Sequence, residues 1–363
     1  MTELVTFEER AAAGGKKLGV AMLNSEKSLN SLSLPMVEAL YPQLQQWQKD
    51  DDILAVFLHS AGEKAFCAGG DVVALHAGSA AYGDDLPNNS CEEFFALEYR
   101  LDYLIHTFGK PFVVWGTGFV MGGGLGLLSG ASHRIVTETT RMAMPEITIG
   151  LYPDVGGTWF LNRTPGKTGL FLGLTGANIN AADAEYIGLA DFFITQDLKD
   201  EVLTALTEVK CERGVAGVMQ HFSALVAPQK PSGNVEAHID WINEVCDGDL
   251  AQAIEKITAY EGDDKWCSKA AATLARGCPI TPSLVWQQLH RGSDLSLEDV
   301  FRMELTMSVN CAKRGHFKEG VRALLIDKDR KPQWTPSTFS DVTSDEIDAF
   351  FVEPWAQHPL ADL

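Results

Sequence analysis

Residues 53–71, ILAVFLHSAGEKAFCAGGD, join a continuous apolar run to a glycine-rich loop. The run at residues 53–58 lacks polar alternation, which is typical of a strand buried on both faces of a sheet. Glycines in the loop allow backbone N–H groups to approach a ligand closely. Because loops that follow parallel strands carry the sites of α/β proteins, the segment predicts an α/β fold with a functional loop at a strand end.

Strand and helix patterns alternate on both sides of this segment. They predict strands at residues 18–23, 112–115, 134–136 and 141–144, and helices at 33–48, 91–108 and 123–130. After about Asp197 helical patterns dominate. We therefore expect a core over residues 1–200 that contains the site, and a helical C-terminal region over residues 201–363 that packs on it.

The composition narrows the range of partners. The chain has 363 residues, 45% hydrophobic and 21% charged, as in globular proteins, and a formal net charge of −20. Such a charge argues against binding to nucleic acid or to an anionic membrane surface. An anionic ligand would need local basic groups, for which Lys64 and Lys110 are candidates.

The cysteine pattern and the termini bear on the compartment. None of the seven cysteines forms a C-x-x-C pair, and no histidine pair has metal-ligand spacing. This pattern predicts reduced thiols in a cytoplasmic protein without a metal. The N-terminus lacks a basic region followed by an apolar core. Residues 111–132 are uncharged, but their glycines favour a strand, a turn and a core helix over a membrane span.

Two acidic residues mark a second glycine-rich stretch. Residues 144–157, MPEITIGLYPDVGG, contain Glu146 and Asp154, each preceded by proline in an otherwise apolar segment. Buried carboxylates are costly unless they are paired or used. Residues 121–126, MGGGLG, form another glycine loop. Two glycine loops and two acids indicate a site that polarises a carbonyl group and moves a proton.

These motifs resemble those of the crotonase, or enoyl-CoA hydratase/isomerase, superfamily. Residues 64–71, KAFCAGGD, and 121–124, MGGG, resemble its two oxyanion-hole loops. Residues 152–157, YPDVGG, and 319–329, EGVRALLIDKD, resemble the 3-hydroxyisobutyryl-CoA hydrolase branch. The resemblance implies a crotonase-like spiral of ββα units followed by a helical C-terminal region.

The resemblance also assigns roles to individual residues. It makes the N–H groups of Gly70 and Gly123 the oxyanion donors and includes Lys64 and Ala68 among the substrate-binding residues. Glu146 matches the family's second acid, Asp154 the additional acid of the hydrolase branch, and Glu98 a substrate contact of that branch. Plainer interpretations are turn glycines at both loops, turn carboxylates at Glu146 and Asp154, and a solvated helix face at Glu98.

The implied reaction is hydrolysis of a short branched 3-hydroxyacyl-CoA, foremost 3-hydroxyisobutyryl-CoA in valine breakdown. Glu146 would activate water or attack the thioester, and Asp154 would bind the 3-hydroxyl or position the water. The expected partner is the acyl-CoA substrate. CoA belongs to that substrate, so no separate cofactor is expected, and a homo-oligomer is an open alternative to a monomer.

Two other functions stay open. Hydratases of the superfamily carry a catalytic Glu two residues after the last glycine of the triple-glycine loop, where this chain has Gly126. That difference disfavours hydratase or isomerase activity. A non-catalytic acyl-CoA-binding protein is the second alternative, and the presence of both acids argues against it.

Overall fold

The computed structural model describes residues 3–82 and 89–363. Over these residues the strands are β1 (Val5–Ala11), β2 (Lys17–Leu23), β3 (Ile53–Ser60), β4 (Ala65–Cys67), β5 (Phe112–Gly116), β6 (Phe119–Met121), β7 (His133–Val136), β8 (Arg141–Ala143) and β9 (Phe192–Phe193).

The α-helices of the described residues are α1 (Leu34–Lys49), α2 (Val72–Tyr82), α3 (Asn89–His106), α4 (Gly123–Ser129), α5 (Gly157–Leu161), α6 (Thr168–Thr175), α7 (Ala181–Tyr186), α8 (Lys199–Thr207), α9 (Arg213–Val226), α10 (Ile239–Val245), α11 (Leu250–Thr258), α12 (Lys265–Arg276), α13 (Thr281–Arg291), α14 (Leu297–Lys313), α15 (His316–Val321) and α16 (Ser344–Asp348).

The strands form two sheets, and from β3 to β8 successive strands alternate between them. The larger sheet runs β1-β2-β3-β5-β7-β9, and the smaller runs β4-β6-β8. Neighbours in the larger sheet are parallel, except that β1 is antiparallel to β2. In the pairs β3–β4, β5–β6 and β7–β8, the first strand enters the larger sheet and the second the smaller one. This repetition is the predicted spiral of ββα units, and the fold class is confirmed.

The buried run that opened the sequence analysis lies in the middle of the larger sheet. Phe57 of β3 packs in one cluster with Trp115 of β5 and Ile135 of β7. Val202 of α8 and Met219 of α9 belong to the same cluster, so helices after residue 198 cover this sheet face. The apolar run is therefore buried on both faces, as its lack of alternation predicted.

The chain divides into two compact units, each assembled from three segments. The first unit comprises Met1–Gly70, Arg100–Met142 and Ile179–Glu236, and the second comprises Asp71–Tyr99, Ala143–Asn178 and Ala237–Leu363. This division differs from the boundary near residue 200 that the change of pattern suggested. The difference arises because α8 and α9 bury their apolar faces on the larger sheet.

Helices prevail after β9 in the described part of the chain, as expected for the C-terminal region. In the second unit α6 packs against α12 and α13, and α11 packs against α12. Among the described residues, no helix combines the length and the apolar character needed to cross a bilayer.

Close packing in the first unit brings the two glycine loops together. Gly124, in the first turn of α4, lies so near β4 that a Cβ there would collide with the carbonyl oxygen of Cys67 and lie 2.8 Å from its Cβ. On the other side, Gly69 has φ +107°, and a Cβ would lie 3.4 Å from the carbonyl oxygen of Met121. Glycine is therefore required where the loops meet.

We predict opposite stability changes for two Gly→Ala substitutions in the first unit. Gly124→Ala should destabilise the fold by about 1–3 kcal/mol, because the backbone of β4 must move to admit a methyl group. Gly217→Ala should stabilise it by roughly 0.5–1 kcal/mol, since Gly217 lies within α9 and its Cβ would meet nothing within 4 Å. Urea unfolding of both variants measures the difference, and equal changes would contradict the packing described at Gly124.

Candidate active site

The first glycine loop follows β4 and is held by backbone hydrogen bonds. Ala68 N–H donates to the carbonyl of Leu29 (3.1 Å), and Leu32 N–H donates to that of Gly69 (2.8 Å). Gly70 also forms a parallel bridge with Leu32. These contacts fix the backbone at Ala68 and Gly70, two of the predicted ligand-binding positions of this loop.

The second predicted oxyanion donor begins a helix. Gly123 is the first residue of α4, and Gly122 before it has φ 47°. The carbonyl of Gly122 accepts from Leu125 and Gly126, so the helix is wound from this point. The first N–H groups of a helix lack intrahelical acceptors and point along its positive end. The Gly123 N–H is therefore of the kind that stabilises a developing oxyanion, and its role stays a prediction.

The two basic candidates lie in different surroundings. Lys64 is exposed at the start of the first loop, and its carbonyl accepts from Phe119 N–H (3.0 Å). Lys110 instead donates to the backbone carbonyls of Trp47 (3.0 Å) and Asp50 (2.6 Å). The Lys110 ammonium thus serves helix α1, because it satisfies carbonyls at the C-terminal end of that helix.

The three predicted acidic residues all lie in the second unit, and all three are buried: Glu98 is 2% exposed, Glu146 5% and Asp154 4%. Glu98 belongs to α3, whereas Glu146 begins the 3₁₀ helix Glu146–Thr148. Burial, and then the charge of Asp154, raises the pKa of both glutamates, so the three carboxyl groups lie close enough to interact. The structure therefore brings Glu98, Glu146 and Asp154 into one group, and the solvated interpretation of Glu98 is wrong.

Glu146 is held by its backbone while part of its side chain stays unpaired. Its carbonyl accepts from the N–H groups of Ile149 (3.0 Å) and Leu151 (3.1 Å). Its Oε2 is buried and finds no hydrogen-bond partner among the described residues. Burial, and then the charge of Asp154, raise the pKa of Glu146 well above its ordinary value. A buried acceptor of this kind is suited to bind and activate a water molecule.

Asp154 lies in a strained turn and has a specific partner. The hydroxyl of Tyr99 donates to its Oδ2 at 2.7 Å. Burial raises the pKa of Asp154 to about 6, although the Tyr99 hydrogen bond opposes the rise. The next residue, Val155, is buried with φ 53°. A β-branched residue in that conformation costs about 1–3 kcal/mol, which the surrounding contacts must offset.

The three carboxyl groups have different affinities for protons. Burial, followed by the charge of Asp154, raises the pKa of Glu98 well above its ordinary value. Three negative charges in one buried space would repel one another, so not all three carboxyl groups are ionised together near neutral pH. The Tyr99 hydrogen bond favours the ionised form of Asp154. Environments that separate the pKa values of neighbouring acids are typical of catalytic sites.

Helix α14 supplies the residues that the sequence analysis missed. Glu304 is fully buried and accepts from the N–H groups of Gly156 (2.7 Å) and Thr158 (2.8 Å), directly after Asp154. One turn later, Ser308 Oγ lies 2.6 Å from the hydroxyl oxygen of Tyr99. The sequence contained one signal for Glu304. It stands at helical spacing from apolar residues of α14, and this pattern places it on the buried face of the helix.

A potential metal-ligand group lies elsewhere in the second unit. Ligand atoms of His238, Asp264 and Cys267 lie within 4.8 Å of one another. Asp264 already caps α12, because its Oδ1 accepts from the N–H groups of Trp266 (2.8 Å) and Cys267 (3.0 Å). The group is explained as a helix cap beside a histidine.

Comparisons with known proteins identify the family of this chain. The enoyl-CoA hydratase/isomerase family model matches residues 18–351. The chain belongs to this family. It is 39% identical over 338 residues to the mitochondrial 3-hydroxyisobutyryl-CoA hydrolase of Xenopus tropicalis, covering 92% of this chain and 86% of that protein. The human protein of the same name is 34% identical over 337 residues, with the same coverage of both chains. Membership of the hydrolase branch, expected from the motifs at residues 152–157 and 319–329, is thereby confirmed.

A solved structure extends the comparison to three dimensions. A carnitinyl-CoA dehydratase from Mycobacterium thermoresistibile superposes with a TM-score of 0.85 at 35% identity, over 98% of both chains. Its name describes a different reaction from that of the sequence relatives. Family membership therefore establishes the fold, and the choice of reaction rests on the acids.

We predict that Tyr99→Phe raises the pKa of Asp154 above its value of about 6, because the lost hydroxyl stabilises the ionised carboxylate. An NMR titration of carboxyl-labelled aspartate measures the change, with Asp154→Asn identifying the signal. Tyr152→Phe is the matched control, since the Tyr152 hydroxyl donates to the carbonyl of Glu304 instead. An unchanged or lowered pKa in Tyr99→Phe would exclude the assigned hydrogen bond.

Proposed function

We propose that this protein hydrolyses 3-hydroxyisobutyryl-CoA to 3-hydroxyisobutyrate and CoA. The observation that carries the proposal is the buried group of Glu98, Glu146 and Asp154 in a chain 39% identical to a 3-hydroxyisobutyryl-CoA hydrolase. A merely binding protein would gain nothing from three desolvated acids, which are costly to bury. Their presence therefore supports an enzyme over an acyl-CoA-binding protein.

Glu146 is proposed as the group that activates the attacking water. Its buried Oε2, which lacks a hydrogen-bond partner among the described residues, is free to accept a proton from that water. A raised pKa makes its carboxylate a stronger base than a solvated glutamate. Direct attack by Glu146 on the thioester, giving a transient anhydride, would use the same atom. The N–H groups of Gly70 and Gly123 are proposed to stabilise the oxyanion.

Asp154 and Glu98 are proposed to recognise the 3-hydroxyl group. An ionised Asp154 accepts a hydrogen bond from a hydroxyl, whereas a protonated Glu98 can donate one. Burial and the charge of Asp154 raise the pKa of Glu98, whereas the Tyr99 hydrogen bond favours the carboxylate of Asp154, and this contrast supports the division. A site that hydrogen-bonds a hydroxyl rejects the analogue without it, because its buried polar groups would stay unpaired.

Hydration is the competing reaction, since the structural relative is named a dehydratase. Hydratases of the superfamily use a glutamate where this chain has Gly126. Gly126 is buried within α4 and supplies no carboxyl group. Glu98, Glu146 and Asp154 still offer three buried acids, so the number of acids alone does not decide. The absent acid at position 126 favours hydrolysis.

The remaining assignments stay proposals. The substrate is an acyl-CoA, and its CoA portion removes the need for a separate cofactor. Lys64 and Ala68 are proposed to contact that substrate. No disulfide joins the described cysteines, which fits reduced thiols in a cytoplasm, whereas the relatives are named as mitochondrial proteins.

We predict that Glu146→Gln lowers kcat for 3-hydroxyisobutyryl-CoA hydrolysis by roughly 10² or more, because the amide keeps the shape but cannot accept the proton. Release of free thiol measures turnover, and calorimetric titration with the substrate checks that binding survives. Lys110→Met is a control for unspecific damage, since Lys110 bonds only backbone carbonyls near α1. Activity of Glu146→Gln within a few-fold of the parent would remove Glu146 from the mechanism.

The pH profile tests the interaction between the acids. If Glu146 must be ionised, kcat/KM rises with pH through the raised pKa of this glutamate. Asp154→Asn removes the negative charge that helps raise that pKa. We therefore predict that the acidic limb of the profile moves to lower pH in Asp154→Asn.

Glu98→Gln is the matched control for this experiment. The charge of Glu98 contributes less than that of Asp154 to the raised pKa of Glu146. The limb should consequently move less in Glu98→Gln. A limb that moves to higher pH in Asp154→Asn would refute Glu146 as the base.

A further inference from the structure

We propose that Glu304 is a positioning residue for Asp154: the two oxygens of its carboxyl group hold the strained turn at Val155 and thereby orient the acid. The inference rests on the proposed function, because Asp154 is assigned there to the substrate. Glu304 itself touches neither substrate nor reacting atoms in this proposal.

The Glu304 side chain binds both ends of a short backbone segment. Oε2 accepts from Gly156 N–H at 2.7 Å, and Oε1 accepts from Thr158 N–H at 2.8 Å. These N–H groups lie at the start of α5, where a helix has no internal acceptors of its own. The segment also turns back on itself, since Gly157 N–H donates to the carbonyl of Asp154 at 2.7 Å. Glu304 thus acts as a side-chain cap supplied from another helix.

The turn needs such a restraint. Val155 has φ 53° and Gly156 has φ 86°, so two consecutive residues occupy the left-handed region. Glycine adopts this conformation freely, whereas valine does not. Without Glu304 the backbone at Val155 would relax toward negative φ, and the preceding Asp154 would change direction.

A second connection joins the same helix to the Asp154 carboxylate. Ser308 lies one helical turn after Glu304, and its Oγ is 2.6 Å from the Tyr99 hydroxyl oxygen and 2.8 Å from that of Tyr152. Tyr99 in turn donates to Asp154 Oδ2 at 2.7 Å. Helix α14 therefore restrains Asp154 twice, through its backbone by Glu304 and through its carboxylate by Ser308 and Tyr99.

The burial of Glu304 favours this role over a purely structural one. The side chain is fully buried, and burial raises its pKa to about 8 against the opposing hydrogen bonds from Thr158 and Gly156. An apolar residue would fill the same space at lower cost. The presence of a carboxyl group is explained if both of its oxygen atoms are needed as acceptors to hold one backbone conformation.

The test compares Glu304→Gln, Val155→Gly and the double variant. Glutamine fits the space but provides a single acceptor oxygen, so one of the two N–H groups loses its partner. For the folded variant we expect kcat for 3-hydroxyisobutyryl-CoA to fall about 10- to 100-fold, as for a misplaced catalytic group, with KM changed less than about threefold. Glycine at 155 makes the left-handed turn unstrained, so the double variant should recover several-fold in kcat.

Asn310→Ala is the control for stability alone. Asn310 lies on the same helix, but its amide donates to the carbonyls of Phe350 and Val352 (3.0 Å each). We expect it to lower the melting temperature while kcat stays near the parent value. Equal losses of kcat in Asn310→Ala and Glu304→Gln, or no recovery in the double variant, would overturn the proposal.

Hydrogen exchange separates this inference from the proposed function. In Glu304→Gln the amides of residues 156–158 should exchange faster than in the parent, and in Asn310→Ala they should not. This readout needs no substrate. If the parent hydrolyses no thioester but exchange at residues 156–158 increases, the proposed function fails and the restraint by Glu304 stands. Unchanged exchange in Glu304→Gln refutes the restraint whatever the activity.

Discussion

Repulsion among three buried carboxyl groups constrains the arrangement of the candidate site in the second unit. Glu98, Glu146 and Asp154 share a desolvated region in which full ionisation is unfavourable. The three carboxyl groups lie in different polar environments, because the Tyr99 hydroxyl stabilises the carboxylate of Asp154. Neighbouring acids in such different environments can take different protonation states, which both hydroxyl recognition and proton transfer require.

Contacts from neighbouring helices offset the free-energy cost of burying these acids. Helix α14 contributes Glu304 and Ser308, and α13 contributes Gln288, whose Nε2 donates to Thr158 Oγ1 at 2.9 Å. These contacts surround a turn that contains Val155 in an unfavourable conformation. Strain that persists next to a buried acid is typical of functional sites, because the surrounding structure must determine the geometry fully. The stability of the C-terminal helices is thereby linked to the direction of one carboxylate.

Local sequence patterns predicted the elements well and the contacts between distant segments poorly. The unbroken apolar run of β3 and the glycine loops could be recognised from a few neighbouring residues, as could Glu146 and Asp154. Strand β1 was missed because its exposed positions interrupt the apolar pattern. Tyr99 and Glu304 were missed because their partners are 55 and about 150 residues away, and local spacing places Glu304 on a buried helix face without indicating what it binds. For the same reason, the sequence did not show that the Lys110 ammonium binds backbone carbonyls near α1.

The most direct test of this account is a comparison of kcat/KM for three substrates with one preparation of the protein. It would measure thiol release from 3-hydroxyisobutyryl-CoA and from isobutyryl-CoA, and hydration of crotonyl-CoA. The account predicts hydrolysis of the hydroxylated ester at least about tenfold above the plain ester, because unpaired buried acids disfavour the latter, and negligible hydration. Efficient hydration of crotonyl-CoA with little thiol release from either ester would contradict it.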